Sequence, residues 1–148
     1  MPPEFVLRDR TPEDTSFLYA SYLKSFHRGH PVKFIPNSLY FQPQTELLDF
    51  LLDSAHVLLA CFPEAPEEIV GWVLYQHLPE ALVVHYVYVK AMHRGNRIGK
   101  LMLDSILNGK SLVIATHASD EYVKLKHKLP QRLVYDPHLL QTLRKLAS

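Results

Sequence analysis

Seven consecutive residues in mid-chain, Arg94-Gly95-Asn96-Arg97-Ile98-Gly99-Lys100, have the types and spacing to hold an anion. They follow a run rich in β-branched and aromatic residues and precede one with apolar residues at helical spacing (Ile98, Leu101, Met102, Ile106). A helix starting here has first-turn N–H groups without intrahelical acceptors, at the positive end of its dipole. Gly95 and Gly99 let a phosphate approach the backbone, and Arg94, Arg97 and Lys100 add charge. The string is not a nucleotide P-loop, because Leu101 stands where that motif needs Ser or Thr. It is not the dinucleotide fingerprint either, which needs an early strand and G-x-G-x-x-G spacing. Other candidate chemistry is thinner. His27-x-x-His30 lacks the carboxylate or Cys that would complete a metal set, so no metal is expected. Cys61 lies in an apolar run and reads as inert core, and no Ser-His-Asp spacing stands out.

The elements that must position this loop follow from the pattern. Residues 5–8 read as a short strand. Thr11-Pro12-Glu13-Asp14 is a helix start, with Phe17, Leu18, Tyr22 and Phe26 at helical spacing and Gly29 as the stop. Residues 30–42, with two prolines and interleaved aromatics, read as a surface loop, and Pro43 as the opening of a second helix carrying Leu47, Leu48, Leu51 and Leu52. Residues 57–62 and 69–75 form two strands about a proline-rich turn. The run 82–89 lacks polar alternation and suits a central strand covered on both faces. After the basic turn comes a helix ended by Asn108-Gly109, then a buried strand at 112–116. Strand, turn, helix, strand makes this a βαβ unit with a parallel pair. A Lys-rich helix from Ser119 to about Lys128, a weak strand at 133–135 and a last helix after Pro137 complete an α+β chain with a mixed sheet.

This order of elements, with the long strand ending in Tyr88-Val89 and then Arg94-Gly-x-x-Ile-Gly, resembles the GNAT superfamily of acyl-CoA-dependent N-acyltransferases. The family's pyrophosphate loop is written [RQ]-x-x-G-x-[GA]. Here Arg94 comes first, Ile98 fills the apolar slot and Gly99 comes last. Arg97 departs, standing where the family most often has glycine; it could crowd a pyrophosphate or add a cation beside it. The Trp72 strand, preceded by Val70-Gly71, looks like the family's third strand. The resemblance covers roughly residues 5–116.

The resemblance implies a single N-acetyltransferase-like domain over 1–148. Its sheet would be mixed and mostly antiparallel, with a central parallel pair splayed to bind acyl-CoA and helices on both faces. It implies acetyl-CoA as co-substrate. The backbone of Val87, Tyr88 and Val89 would pair with the pantetheine arm, and the backbone from Arg94 through Gly95, Asn96, Arg97, Ile98 and Gly99 to Lys100 would hold the pyrophosphate. An N–H of the strand, that of Val87, would face the carbonyl oxygen of the thioester under attack by an amine. Candidates for base and acid are His85, which shares the counted parity of Val87 and Val89, and His117 at the end of the next strand. Tyr122 is the nearest match for the family's acid, with Tyr135 competing. Each also reads as a packing residue.

Composition bounds the functions. With 148 residues, 47% hydrophobic and 21% charged, the chain is an ordinary globular one and not a disordered tail. One Cys excludes an internal disulfide framework. No apolar run reaches the roughly 18 residues of a membrane span, and the first residues do not read as a signal peptide, so a cytoplasmic protein without membrane contact is expected. The near-neutral total hides a division: residues 1–84 carry 5 Lys and Arg against 11 Asp and Glu, and residues 85–148 carry 11 against 4. The Lys124, Lys126, His127, Lys128, Arg132 cluster reads as a solvated face, or as a contact with the 3′-phosphate of CoA or with nucleic acid. Two function classes remain. One is an N-acetyltransferase, monomer or homodimer, acting on a small-molecule amine or on an amine of a protein or nucleic acid. The other is a binding module of the same fold that engages nucleic acid or protein through its basic second part.

Overall fold

The computed structural model describes residues 5–29, 32–95 and 97–147. One six-stranded sheet, ordered β1 (Val6–Asp9), β2 (His56–Phe62), β3 (Ala65–His77), β4 (Leu82–Val89), β5 (Leu112–Ala115) and β6 (Arg132–Tyr135), runs in chain order from edge to edge. The first four strands pair antiparallel, and β4–β5 and β5–β6 pair parallel. The expected parallel pair is therefore present, and β6 adds a second.

Two apolar layers sandwich the sheet. On one face Leu82, Val84, Val87 and Val89 of β4 meet Ile98, Met102, Leu103 and Ile106 of α3 (Ile98–Ile106) and Leu125 of α4 (Asp120–Leu125). On the other, Leu18, Tyr22 and Phe26 of α1 (Thr15–Arg28) and Tyr40, Leu48 and Leu51 of α2 (Asn37–Ser54) cover Leu59, Trp72, Leu74 and Tyr86. The last helix, α5 (Leu139–Ala147), rests Leu140 against this second layer. The stripes at i, i+3 and i+4 dictate which side of each helix is buried, giving helices on both faces of a mixed sheet.

Two features differ from the sequence reading. The helix expected to open at Pro43 begins at Asn37 and carries Pro43 inside it. An interior proline removes one backbone hydrogen bond and costs about 3 kcal/mol in isolation. Here tertiary contacts outweigh it: Tyr40 is buried, donates its hydroxyl to the Leu23 carbonyl at 2.7 Å and stacks on His27. The first helix is preceded by a single 3-10 turn, Pro12–Asp14. There the Asp14 carboxylate takes both guanidinium N–H groups of Arg8 at 2.8 Å and the Thr11 N–H, and Arg8 reaches on to the Pro66 carbonyl. That node ties β1, α1 and β3 together, and the Arg8 guanidinium holds the Asp14 carboxyl down at about 2.

Helix α3 lies against β3 where Gly71 gives it room. A Cβ on Gly71 would stand 2.8 Å from the Tyr88 carbonyl oxygen and 3.2 Å from Ile98 Cγ2. Gly71→Ala must push β3 from β4 or α3 from the sheet, and a loss of roughly 1–3 kcal/mol in denaturant unfolding is expected. Unchanged stability would show that the close approach relaxes freely.

Candidate active site

The site begins with an irregularity in β4. Leu74 pairs with Tyr86 and Tyr75 with Val84, so His85 is an extra residue opposite the joint, a β-bulge. The bulge reverses the alternation: Leu82 and Val84 share a face with Val87 and Val89, while Tyr86 faces the other layer. The counted parity that grouped His85 with Val87 and Val89 is thus corrected. His85 is fully buried, bonded through Nδ1 to Thr116 Oγ1 and through Nε2 to Gln76 Oε1, each at 2.8 Å.

The bulge also marks where the parallel pair parts. Pairing of β4 with β5 ends at Val84 with Ala115, and the Thr116 N–H makes a last bond to the Val84 carbonyl at 3.2 Å. Beyond the bulge, residues 86–89 keep their antiparallel partner β3, and residues 85–89 have no partner strand on the β5 side among the described residues. The open edge contains Val87, Tyr88 and Val89 and leads directly to the basic turn.

That turn forms a cradle. Arg97 precedes α3 with φ 61° and no side-chain cap, so the first N–H groups of the helix are left for another acceptor. Gly95 also has positive φ, 90°. A cleft of about 340 Å³ surrounds them, lined by Arg94, Arg97, Gly99, Lys100, Lys124 and Lys128 among others. A Cβ on Gly99 would meet only ordinary contacts at 3.7–3.9 Å, with Glu121 Oε2, Val87 and Val89, so Gly99 keeps the cradle shallow without being needed by the fold. The Glu121 carboxylate stands at its rim, 3.8 Å from Arg94 Nε and 3.5 Å from Lys124 Nζ. Asn96, expected to belong to the loop, lies outside the described residues.

The sequence matches the family model described as "Acetyltransferase (GNAT) family" over residues 17–111, well over half of the chain. The chain belongs to the GNAT acetyltransferase family. Similar solved structures agree in fold. A GNAT-family acetyltransferase of Brucella melitensis in complex with acetyl-CoA has TM-score 0.54 at 18% identity, covering 82% of this chain and 81% of that one. A predicted acetyltransferase of Clostridium acetobutylicum solved with acetyl-CoA has TM-score 0.60 at 16% identity, covering 84% and 88%. An aminoglycoside acetyltransferase from an uncultured soil metagenomic sample has TM-score 0.54 at 18% identity, covering 87% and 92%. No curated protein matches the chain by sequence.

In this GNAT chain, three of the four expected catalytic side chains converge on the splay. His85, His117 and Tyr122 line a cavity of about 20 Å³ together with Val87 and Ser119, room for about one water. Tyr135 is not among its walls; it lies on β6, half exposed, with its ring 5.8 Å from that of Tyr122. The Tyr122 hydroxyl has no hydrogen-bond partner among the described residues. A second, larger cleft of about 410 Å³ opens on the α1 side of the same edge and is bounded by Tyr86, Val87, Tyr88, Val89 and Arg94. Among the described residues no group of three or more His, Cys, Asp or Glu converges as a metal site, and no helix is long and apolar enough to cross a membrane.

The sequence did not point to the partners that hold the histidines. Thr116 Oγ1 lies 2.8 Å from His85 Nδ1 and 3.0 Å from His117 Nδ1, and His117 Nε2 lies 2.9 Å from the Tyr22 hydroxyl, which reaches Gln44 Oε1 at 2.6 Å. Gln76, His85, Thr116, His117, Tyr22 and Gln44 thus form one buried chain; the amide oxygens at both ends accept, so with neutral rings the protons of His85, Thr116, His117 and Tyr22 satisfy all but one of its contacts. Burial pushes the His85 imidazole down to about 3, with His117 opposing it further, and burial alone pushes His117 down to about 4. Ser119 also went unread. It caps α4, accepting the Tyr122 N–H at 3.1 Å, and it faces both cavities. In the sequence Tyr22 is one member of a helical stripe, Thr116 a strand end and Ser119 a helix start, and only the folded chain brings them together.

Two outcomes follow from this geometry. Neutral rings in the fold and ordinary histidines in the unfolded chain mean that unfolding takes up protons below pH 6.5. Their stabilising effect is therefore complete above pH 6.5 and falls with acidity down to about pH 4, by as much as roughly 1.4 kcal/mol per pH unit for each ring. Denaturation series between pH 7 and 4.5 should show this slope; half of it would mean that one ring takes its proton in the fold, and a flat profile that both do. Arg97 holds a left-handed conformation that costs a residue with a Cβ about 1–2 kcal/mol. Arg97→Gly relieves that cost against the entropy of glycine, so an unchanged or higher melting temperature is expected, with weaker affinity for phosphate-bearing ligands. A clear loss of stability would show instead that the Arg97 side chain holds the turn.

Proposed function

We propose that this protein is an acetyl-CoA-dependent N-acetyltransferase that moves the acetyl group directly to an amine. The observation that carries the proposal is the open edge of β4 from 85 to 89 running into an uncapped, cation-ringed helix N-terminus. A strand edge offers amide groups at β spacing to an amide-bearing arm, and the α3 terminus offers N–H groups to a pyrophosphate. Membership of the family supplies the donor that matches both. Bound there, acetyl-CoA supplies the activated acyl group.

The roles assigned to the chain are these. The backbone of Val87, Tyr88 and Val89 holds the pantetheine arm, and the backbone from Arg94 to Lys100 holds the pyrophosphate, with Arg97 and Lys100 adding charge and Glu121 swinging off the rim. The Val87 N–H stabilises negative charge on the carbonyl oxygen. Tyr122, whose hydroxyl has no partner among the described residues, is the acid for the departing thiolate. Both ring nitrogens of His85 and of His117 are engaged, so these residues act through others: they hold the splay at its fixed width. Tyr135 supports the Tyr122 ring. Transfer to an amine is supported by the family and by the named specificity of the aminoglycoside acetyltransferase that shares the fold.

Calorimetric titration with acetyl-CoA, using dephospho-CoA as comparator, tests the donor. Saturable micromolar binding is expected, weaker for dephospho-CoA if Lys124 and Lys128 meet the 3′-phosphate. Gly99→Leu should keep the melting temperature within a few degrees and lose binding at least tenfold, about 1.4 kcal/mol. Wild-type protein that does not bind CoA but binds random nucleic acid with steep salt dependence would replace this reading with that of a binding module.

A further inference from the structure

We infer that the acceptor is a small amine that also carries a carboxylate or phosphate group, and that Lys24 and Arg28 bind that anion. The inference rests on the donor assignment above and concerns the other end of the same site. The larger cleft runs past the β4 edge to a region bounded by Lys24, Ser25 and Arg28 of α1 and by Ser119 and Asp120 at the start of α4. Its volume, about 410 Å³, suits a small ligand.

The charges of that region are unbalanced in a specific way. Residues 1–84 contain only 5 cationic side chains among 11 acidic ones. Arg8 is committed to Asp14, Arg10 to the Leu52 carbonyl, and Lys33 lies over the Phe34 ring. Lys24 and Arg28, one turn apart on α1, have neither ion pair nor hydrogen bond among the described residues, and both face the cleft. In so acidic a segment an unpaired pair on one helix face is not explained by packing. Across from them stands Asp120, in the first turn of α4, also without a cationic partner among the described residues. One wall is positive and the other negative, the complement of a molecule carrying an ammonium and an anion. The donor does not account for the positive wall, because its phosphates are matched at the far end by Arg94, Arg97, Lys100, Lys124 and Lys128. An acceptor carrying cations alone would set like charges against α1.

The test uses the full chain saturated with CoA, titrated calorimetrically with ligand pairs that differ only in the anion. Amino acids are set against their amides, and aminoalkyl phosphates against the parent amino alcohols. At least one anionic member should bind about tenfold more tightly than its neutral partner, the order expected of hydrogen bonds to charged groups. The carboxylate and phosphate arms show which anion is meant. The double variant Lys24→Ala/Arg28→Ala should abolish the preference while leaving the melting temperature and the affinity for CoA unchanged. Equal binding within every pair, or preference for the neutral members, overturns the inference and leaves the donor assignment standing. Loss of CoA affinity in the double variant overturns it as well, by giving those cations to the donor. Wild-type protein that does not bind CoA removes the donor assignment and this inference together.

Discussion

The parting of β4 from β5 after Val84 is the constraint on which the rest of the molecule depends. The pairing stops where β5 ends, at Ala115, and β4 runs on without a partner on that side among the described residues, a costly arrangement for backbone groups. Here the His85 bulge, opposite Leu74 and Tyr75, adds a residue to β4, and the hydrogen bonds from His85 and His117 to Thr116 take up the space between the strands. The result is an edge of five residues in mid-sheet, walled by apolar layers and open to a ligand. Neither histidine need touch that ligand for the site to depend on both.

The same region reconciles two demands on α3. Its apolar stripe must pack on the sheet, which Gly71 permits by close approach, while its N-terminus carries no side-chain cap from Arg97 and, in the function proposed, stays bare for an anion. The second demand leaves the turn before it strained. The backbone is left-handed at Gly95 and at Arg97, and the arginine accepts a conformation better suited to glycine while adding its charge. Glu121 at the rim moderates the repulsion among the surrounding cations, so the cradle has an internal counter-charge before any ligand arrives.

Charge is arranged by fold as well as by count. The acidic first part and basic second part of the chain meet at the β4 edge, and each contributes a minority group there: unpaired cations of α1 on one side, Asp120 and Glu121 of α4 on the other. Long-range asymmetry thus becomes a local one across a single cleft. A linear count could show only that the two parts differ.

Much of this was readable from the chain alone. Residue types and their order determined the α+β class, the strand at 82–89, the helix after it and the basic, glycine-bearing turn between them, because hydrophobic period, glycine position and charge are local properties. The same locality explains the errors. Pro43 reads as a helix start unless Tyr40 is known to be buried, and His85 reads as facing Val87 unless the bulge is known. Tyr22, Thr116 and Ser119 could not be singled out, since their neighbours at the site are remote in sequence and their types are common. The chain's own chemistry decided what kind of donor the turn would suit; only tertiary packing decided where the sheet opens, which histidines are kept neutral and which cations are left facing the cleft. Such outcomes depend on distances between residues that the chain separates by tens of positions, and no local pattern records them.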